Sequence, residues 1–491
     1  MKKVLTLMLA AALSLSMAAC GSSSSSPASS GGSSTPDGSS ASTDGSKEIV
    51  NLKWVQVGSG MPANYDAWKV NLDKYLEEKI GVHLDVEVVS WGDWSNRRSV
   101  IVNTNEDYDI LFTDMGTYAS DVKLGAFADI SELAKTASPD LYKLVPEDYW
   151  NAVKIDGKIY AVPTYKDSSA TQYFVFDKEL ADKYEIDYNN VKELADLTDS
   201  LKKVKDGEGI TPLILDGTNG LSAVYGWYDR MGAGLNALGV RYDDNERKVV
   251  SVFEQEDVMA DLKTMHEWFK SGIINADAAT LAETPKYRFL QIAQGWSGAA
   301  KTTWGPNMDK EAIAIQWRDT VVSNETVQGS MSAISASSKN QAKALELLQL
   351  VNTDSYVRDS LYYGLEGENW EYTADKTKVH RINTDWMMAG YTQGTFFNVT
   401  QLDDVDFNQW DEVKALNENA KPSVLLGFSF DTSTVADKLA NCTEIYNRYK
   451  SELLTGAVDP AQIVPAMMKE MRAAGFDDIV AAAQAQIDEQ F

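Results

Sequence analysis

The chain has 491 residues, of which 45 are Lys or Arg and 72 are Asp or Glu, which gives a formal net charge of −27 at neutral pH. An acidic surface of this kind repels nucleic acid and anionic membrane surfaces, and it disfavours a strongly anionic ligand. The length exceeds what one hydrophobic core usually supports, so the folded part is expected to contain two domains.

The first twenty residues have the layout of a secretory signal peptide. Lys2 and Lys3 precede an apolar stretch at 4–17, which is too short for a mature membrane-spanning helix. The end of this stretch, Met-Ala-Ala-Cys, resembles a lipobox, although Met17 stands where such boxes usually carry Leu. We expect residues 1–19 to be a lipoprotein signal peptide and Cys20 to carry lipid. An ordinary signal peptide with an unmodified Cys20 is the alternative.

Residues 20–47 are predicted to form a disordered tether. From residue 21 they are nearly all Ser, Gly, Ala, Thr, Pro and Asp, and they cannot bury a core. A flexible coil of this length spans roughly 30 Å. Removal of the signal, which carries two lysines and no acidic residue, takes the net charge from −27 to −29. Only Cys442 remains beside a lipidated Cys20, so an intramolecular disulfide is not expected.

The first predicted elements of the folded part alternate between strands and a helix. In order, they are a strand at 50–57, a helix at 66–80, a strand at 84–88 and a buried strand at 109–112. The helix carries Trp68, Leu72 and Leu76 on one face. Strand, helix and strand at this spacing imply parallel pairing and an α/β fold. Apolar residues at helical spacing predict further helices at 194–204, 345–351 and 463–474.

Five segments carry a family resemblance. They are DGKIYAVP at 156–163, ISASSKN at 334–340, YYGLEG at 362–367, TGAVDP at 455–460 and RAAGFD at 472–477. In this order they resemble the extracellular solute-binding proteins of ABC importers, of the carbohydrate type, with a C-terminal region like the DUF3502 domain. Each segment alone is weak evidence, whereas their order along one chain is specific.

The resemblance implies a two-lobed periplasmic-binding-protein-like fold with a hinge and a ligand cleft between the lobes. Lobe 1 is expected to comprise residues 48–163 and 330–428, and lobe 2 residues 164–329 and 429–491. The chain is expected to cross between lobes near 163–166, 330–335 and 428–431. A ligand that contacts both lobes would favour the closed state by its differential affinity.

The resemblance also implies the partners. The ligand is expected to be a neutral oligosaccharide and the protein partners the permease subunits of an ABC importer. We expect a monomer on the extracellular face of the cell membrane, attached only through its lipid, without nucleic acid, cofactor or metal.

Open α/β sheets bind ligands at the carboxyl ends of their strands, which selects the loops after the first three strands and the hinge. Aromatic residues in the second part of the chain, many beside Gly, Asn or Asp, add further candidates. The predicted ligand-binding residues are Asn64, Tyr65, Trp94, Asp114, Tyr165, Lys166, Trp227, Asp229, Trp304 and Trp386.

The chain contains 13 tryptophans, and as a set they favour a saccharide ligand. A sugar ring has an apolar face of C–H groups and a rim of hydroxyls, so its site needs flat aromatic side chains and placed polar groups. Any one tryptophan is nevertheless more often a core residue than a ligand contact. Trp227, Trp304 and Trp386 are ranked higher because they lie in turn-rich segments.

Signatures of an enzyme are mostly lacking. The segment HEWFK at 266–270 has Lys270 where a zinc-protease helix needs its second His. The three histidines are far apart in sequence, which disfavours a His-based metal or triad site. A glycosidase needs only two carboxylates, so a surface glycosidase stays open as an alternative. A peptide- or amino-acid-binding protein of the same fold is the third reading.

Overall fold

The computed structural model describes residues 49–386 and 388–491. The predicted signal peptide, the tether and Cys20 lie outside these residues. The strands are β1 (Val50–Gly58), β2 (Val82–Ser90), β3 (Ile110–Thr113), β4 (Lys154–Ile155), β5 (Lys158–Ile159), β6 (Ala161–Pro163), β7 (Ala170–Asp177), β8 (Tyr228–Asp229), β9 (Leu238–Arg241), β10 (Val250–Ser251), β11 (Leu290–Gln294), β12 (Ala312–Val322), β13 (Met331–Ile334), β14 (Trp370–Tyr372), β15 (Val379–Arg381) and β16 (Lys421–Pro422).

The helices connect these strands and cover their faces. They are α1 (Tyr65–Ile80), α2 (Trp94–Thr104), α3 (Tyr118–Lys123), α4 (Leu133–Ala137), α5 (Pro139–Leu144), α6 (Glu147–Ala152), α7 (Lys178–Lys183), α8 (Thr198–Glu208), α9 (Glu256–Lys270), α10 (Gly305–Met308), α11 (Asn324–Val327), α12 (Gln341–Thr353), α13 (Ser355–Tyr363), α14 (Gln409–Glu418), α15 (Ala436–Leu453), α16 (Pro460–Ala473) and α17 (Phe476–Gln490). Among the described residues, no helix is both long and apolar enough to cross a lipid bilayer.

Lobe 1 is built on a five-stranded sheet in the order β2-β1-β3-β13-β6. Strand β1 pairs in parallel with β2 and β3, as the sequence predicts, whereas β13 runs antiparallel to β3 and β6. Helix α1 buries Trp68, Leu72 and Leu76. It ends at Gly81, whose φ of 66° is a left-handed conformation that glycine adopts without strain. The predicted α/β fold of this part is therefore confirmed.

Lobe 2 is built on a four-stranded sheet in the order β11-β7-β12-β16. Strand β7 is antiparallel to both β11 and β12. Phe174, Phe176 and Trp317 of this sheet share one core with Trp268 of α9 and with the C-terminal helices, which contribute Met467 among others. The C-terminal region therefore folds as part of lobe 2, and its burial explains why the predicted helix at 463–474 forms as α16.

The chain changes sheets between β6 and β7, at residues 164–169, and again between β12 and β13, at 323–330. The predicted crossings lie near 163–166 and 330–335, and β13, which begins at Met331, already pairs with β3 of lobe 1. The return to lobe 2 occurs by β16, which pairs with β12 ahead of the predicted 428–431. A two-residue strand has no apolar pattern that a sequence argument could detect. The predicted lobe boundaries stay a prediction.

Candidate functional site

A cavity of about 540 Å³ lies beside both crossings, against lobe 2. The first crossing contributes Lys166 and Asp167, and the second contributes Glu325 from α11. The side chains that line its walls from lobe 2 include Gln172, Tyr225, Arg230, Tyr242 and Gln294. The volume is in the usual range of small-molecule sites. The cavity therefore adjoins the segments that join the two lobes.

The cations of this cavity are paired with carboxylates. Lys166 Nζ lies 2.7 Å from Asp167 Oδ1, and the Arg230 guanidinium forms an ion pair with Glu325. Burial by itself would lower the pKa of Arg230, but the Glu325 carboxylate together with Tyr225 and Tyr242 outweighs it, and the pKa is raised. Arg230 also donates to Asn236 Oδ1 at 2.8 Å. The cavity therefore offers strong hydrogen-bonding groups with little net charge, which suits a neutral polar ligand.

An aromatic surface of lobe 1 lies next to this cavity. The Trp91 and Tyr391 rings stack nearly parallel, with centroids 6.0 Å apart and planes at 8°. Lys166 connects the two regions, because its Nζ lies 5.8 Å from the centre of the Tyr391 ring. Trp91 is 52% exposed, so a large apolar face is open to solvent. A flat apolar surface of a ligand can stack on an aromatic ring that is exposed and fixed by its neighbours.

Phe112 packs edge-on against Tyr391, with ring centroids 6.3 Å apart. Trp94 in turn packs edge-on against Phe112, with centroids 5.6 Å apart. Burial, and to a lesser extent the Asp114 charge, raises the pKa of Tyr391 to about 12. Its hydroxyl therefore stays protonated at neutral pH and can donate a hydrogen bond. The predicted residues Trp94, Asp114 and Lys166 are thus brought together around Tyr391, which the sequence analysis did not select.

Asn64 and Tyr65 lie in contacts within lobe 1. Asn64 Nδ2 donates to Asn369 Oδ1 at 2.8 Å and to Glu368 Oε1 at 3.0 Å. The backbone N–H of Val86 donates to Tyr65 Oη at 2.7 Å. These bonds join the loop after β1 to neighbouring elements, so both side chains already have structural partners.

Two further predicted residues are buried in the lobe 1 core. Trp386 is 6% exposed, and its Nε1 donates to the Leu361 carbonyl at 2.9 Å. Tyr165 is 3% exposed and packs edge-on against Phe397 at 4.8 Å. Their positions favour packing over ligand contact, because neither reaches the lining of the cavity.

The remaining predicted residues lie in lobe 2. Trp304 packs on Tyr173, with centroids 5.9 Å apart, on the opposite face of the sheet from Gln172 and the cavity. Trp227 is half-buried beneath Arg241, at 5.9 Å. Asp229, 3% exposed, accepts hydrogen bonds from Ser423 Oγ at 2.6 Å and from the Met231 backbone N–H at 2.9 Å. A ligand role for these three stays a prediction.

The central pair of the cavity, Arg230 and Glu325, is not among the residues predicted from the sequence. They are 95 positions apart, and no local motif connects them. Tyr391 had a usable signal, since it follows Gly390 in a turn-rich segment, as Trp227 follows Gly226. In the described part of the chain, no group of three His, Cys, Asp or Glu side chains is placed to hold a metal ion.

Proteins and crystal structures from Streptococcus pneumoniae are similar to this chain over nearly its whole length. A "Carbohydrate ABC transporter substrate-binding protein" of Streptococcus pneumoniae is 29% identical, with 97% of this chain and 96% of that protein covered. The crystal structure of the N-glycan transport solute binding protein NgtS from the same species matches with a TM-score of 0.79 at 29% identity, over 90% of this chain and 98% of that chain. Its complexes with Man1GlcNAc and Man5GlcNAc, each 28% identical and covering at least 89% of this chain and 98% of those chains, match with TM-scores of 0.70 and 0.66.

More distant structures share the fold. A solute-binding protein from Bifidobacterium longum infantis matches with a TM-score of 0.60 at 16% identity, over 90% of this chain and 99% of that chain. The model of a "Domain of unknown function (DUF3502)" matches residues 424–490, the part that completes the lobe 2 core. The family model "Bacterial extracellular solute-binding protein" matches residues 72–363, which is more than half of the chain. This chain therefore belongs to the bacterial extracellular solute-binding proteins.

Proposed function

We propose that this protein is the extracellular solute-binding component of an ABC importer and that it holds a neutral oligosaccharide in the cavity beside the hinge. The family membership and the name of the pneumococcal relative support the importer and the carbohydrate class. The saccharides named in the NgtS complexes are further support, because that protein is similar over nearly its full length.

A neutral ligand is favoured because the charged side chains of the cavity are paired with each other. Lys166 faces Asp167 and Arg230 faces Glu325, so neither cation is left free to neutralise an anionic ligand. The exposed Trp91–Tyr391 stack of lobe 1 adds the apolar surface that the C–H face of a sugar ring requires. A peptide would need a different arrangement, such as an exposed sheet edge or a free charge for its terminus.

The lobes supply different parts of the site, so a ligand that contacts both favours a closed state. The permease would then recognise the closed, loaded protein. The protein acts as a monomer and carries out no chemistry on its ligand.

The anchor is part of the same proposal. Cys20 carries lipid, residues 20–47 form the tether, and the folded part works at the extracellular face of the membrane. Replacement of Cys20 by Ser is expected to release the protein into the medium. Equal retention of this variant at the membrane would contradict the anchor and leave the ligand proposal untouched.

A thermal-shift panel tests the ligand class. Neutral oligosaccharides, acidic oligosaccharides and peptides are compared, because a ligand that binds only the folded state raises the melting temperature. We expect shifts with neutral oligosaccharides and recovery of these ligands uncleaved after incubation. Shifts confined to peptides would overturn the proposal, and cleaved glycans would support the glycosidase alternative.

A further inference from the structure

A second cavity, of about 230 Å³, lies apart from the first. It is bounded by Thr302 of the π-helical turn Ala300–Trp304 in lobe 2, by the last residues of α13 and β15, and by residues between 401 and 410. Tyr362, Tyr363, Phe407 and Trp410 give it an aromatic wall. Nothing in the proposed function uses this cavity.

The aromatic wall is held in place by packing. Phe396 stacks on Trp410 with centroids 4.4 Å apart and planes at 26°. Tyr362 meets Phe396 edge-on at 6.0 Å and Tyr363 edge-on at 4.9 Å. Phe407 is half-buried, and Lys301 Nζ lies 4.9 Å from its ring centre. Rings fixed by neighbours lose little conformational entropy when a ligand binds, so they are suitable for stacking.

Polar groups stand beside these rings. Arg381 lines the cavity, and its guanidinium lies 6.0 Å from the centre of the Tyr363 ring while its Nε donates to the Asn383 carbonyl at 3.2 Å. Gln401 is anchored by a bond from its Nε2 to the Val405 carbonyl at 3.2 Å. The combination of flat apolar faces with anchored amide and guanidinium groups is the same combination that a sugar ring requires in the first cavity.

Trp296 lies between residues that line the first cavity and residues that line the second. A small cavity of about 60 Å³ is lined by Asp167 and Gln294, which also line the first cavity, and by Trp296. The Trp296 ring lies 5.8 Å from that of Trp410, which lines the second cavity. The Trp296 Nε1 is buried and has no hydrogen-bond partner among the described residues. A buried donor without a partner is costly, and an acceptor such as a hydroxyl oxygen would relieve it.

We infer that the second cavity is a subsite that binds a further neutral glycosyl residue of the same oligosaccharide, with Trp296 between the two cavities. This inference rests on the proposed function. A ligand of one or two sugar residues fits the first cavity alone, whereas a longer or branched one extends past Trp296 and stacks against the second aromatic wall.

Calorimetry with two probes tests the subsite. Man1GlcNAc serves as the short probe and Man5GlcNAc as the long one, both named in the NgtS complexes. Phe407→Ala removes part of the aromatic wall, and Arg381→Gln removes a charged donor. Phe491→Ala is the matched control, because this phenylalanine is 51% exposed at the C-terminus and lines neither cavity. We expect each subsite variant to weaken the long probe at least about tenfold more than the short one, and the control to weaken neither.

Equal weakening of both probes by Phe407→Ala and Arg381→Gln would overturn the subsite while leaving the proposed function intact. A wild-type protein that binds neither probe and shows no thermal shift with any neutral oligosaccharide would overturn both. A crystal structure with Man5GlcNAc gives an independent readout in case a variant fails to fold. A sugar ring between Phe407 and Tyr363 supports the inference, and an empty second cavity in a loaded protein refutes it.

Discussion

Arg358 of lobe 1 and the less buried Arg230 and Arg318 of lobe 2 are stabilised in different ways, although lobe 1 also contains a carboxylate-paired arginine, Arg98. In lobe 1, Arg358 is fully buried and meets only neutral acceptors within hydrogen-bond distance, whereas in lobe 2 Arg230 and Arg318 each meet a carboxylate, from Glu325 and Asp261. Burying a charge is expensive unless it is paired or well hydrogen-bonded. The difference between neutral and carboxylate partners indicates that these arginines have different structural roles.

In lobe 1, Arg358 stabilises a turn. Arg358 donates to the carbonyls of Thr395 at 2.7 Å and Gly390 at 2.9 Å, and to Gln393 Oε1 at 3.0 Å. These acceptors belong to the turn at 390–395 that carries Tyr391. Burial lowers the pKa of Arg358 to about 10, so it stays charged at neutral pH. Arg358 is therefore a positioning residue for the aromatic surface of the cleft.

In lobe 2 the pairs remove net charge. Glu325 neutralises Arg230 at the cavity itself, while Asp261 meets Arg318 in the core beside α9. The second pair is imperfect, because Arg318 Nη1 is buried without a partner among the described residues. Burial raises the pKa of Asp261 to about 6 even though Arg318 opposes the shift. Pairing therefore removes net charge at the cavity, whereas in the second pair burial still disfavours the ionised form of Asp261.

The largest effect is expected on stability, from a substitution that removes the hydrogen bonds of Arg358 in lobe 1. Arg358→Met fills a similar volume but leaves several buried acceptors without a donor, at about 1–3 kcal/mol each, so the free energy of unfolding should fall by about 3–5 kcal/mol. Urea denaturation measures it. Arg448→Met, which removes a half-exposed ion pair with Glu470, is the control and should lose far less. Equal losses would show that Arg358 has no special role.

The second prediction concerns pH. The pKa of Asp261 is higher in the folded state than the ordinary value of 3.8, so the folded protein binds more protons between these values. Its contribution to stability is therefore present below about pH 4 and is lost as the pH rises through about 6. Relative to Asp261→Asn, the wild type should lose about 2–3 kcal/mol of unfolding free energy across this window. A relative gain with rising pH would show that the Arg318 pair stabilises the ionised carboxylate.

The third prediction tests the aromatic surface that Arg358 holds. Trp91→Ala should weaken oligosaccharide binding about tenfold, or about 1.4 kcal/mol, with little change in unliganded stability because the ring is half-exposed. Trp304→Ala is the matched variant on the far face of the lobe 2 sheet, and its main loss should be in stability. Calorimetry and thermal melting measure both quantities. The reverse pattern would favour the sequence-based choice of Trp304 over the lobe 1 surface.

The smallest effect is expected at the cavity pair. Glu325→Gln keeps an acceptor for Arg230 but leaves its charge uncompensated, so affinity for a neutral oligosaccharide should fall by about threefold to tenfold, a modest change because the pair is partly exposed. Acidic oligosaccharides should bind this variant better than the wild type. Glu470→Gln, in the distant Arg448 pair, is the control. Tighter binding of neutral ligands by Glu325→Gln would contradict the charge-pairing argument.

Much of the fold was predictable from local pattern. The predicted strands at 50–57, 84–88 and 109–112 match β1, β2 and β3 within a few residues, because buried strands carry apolar side chains at regular spacing. The residues of the candidate site were harder to predict from the sequence. Trp386 and Trp94 have similar sequence surroundings, yet one is buried in the core and the other packs beneath Tyr391.

The sequence by itself determined the family, the alternation of strands and helices and the acidic composition, since these depend on nearest neighbours along the chain or on simple sums. Only the tertiary structure decided which side chains share a cavity. Arg230 meets Glu325 across 95 positions, and Lys166 reaches the Tyr391 ring of a turn that Arg358 holds from another element. Such contacts arise where elements pack, and no periodicity in the sequence encodes them.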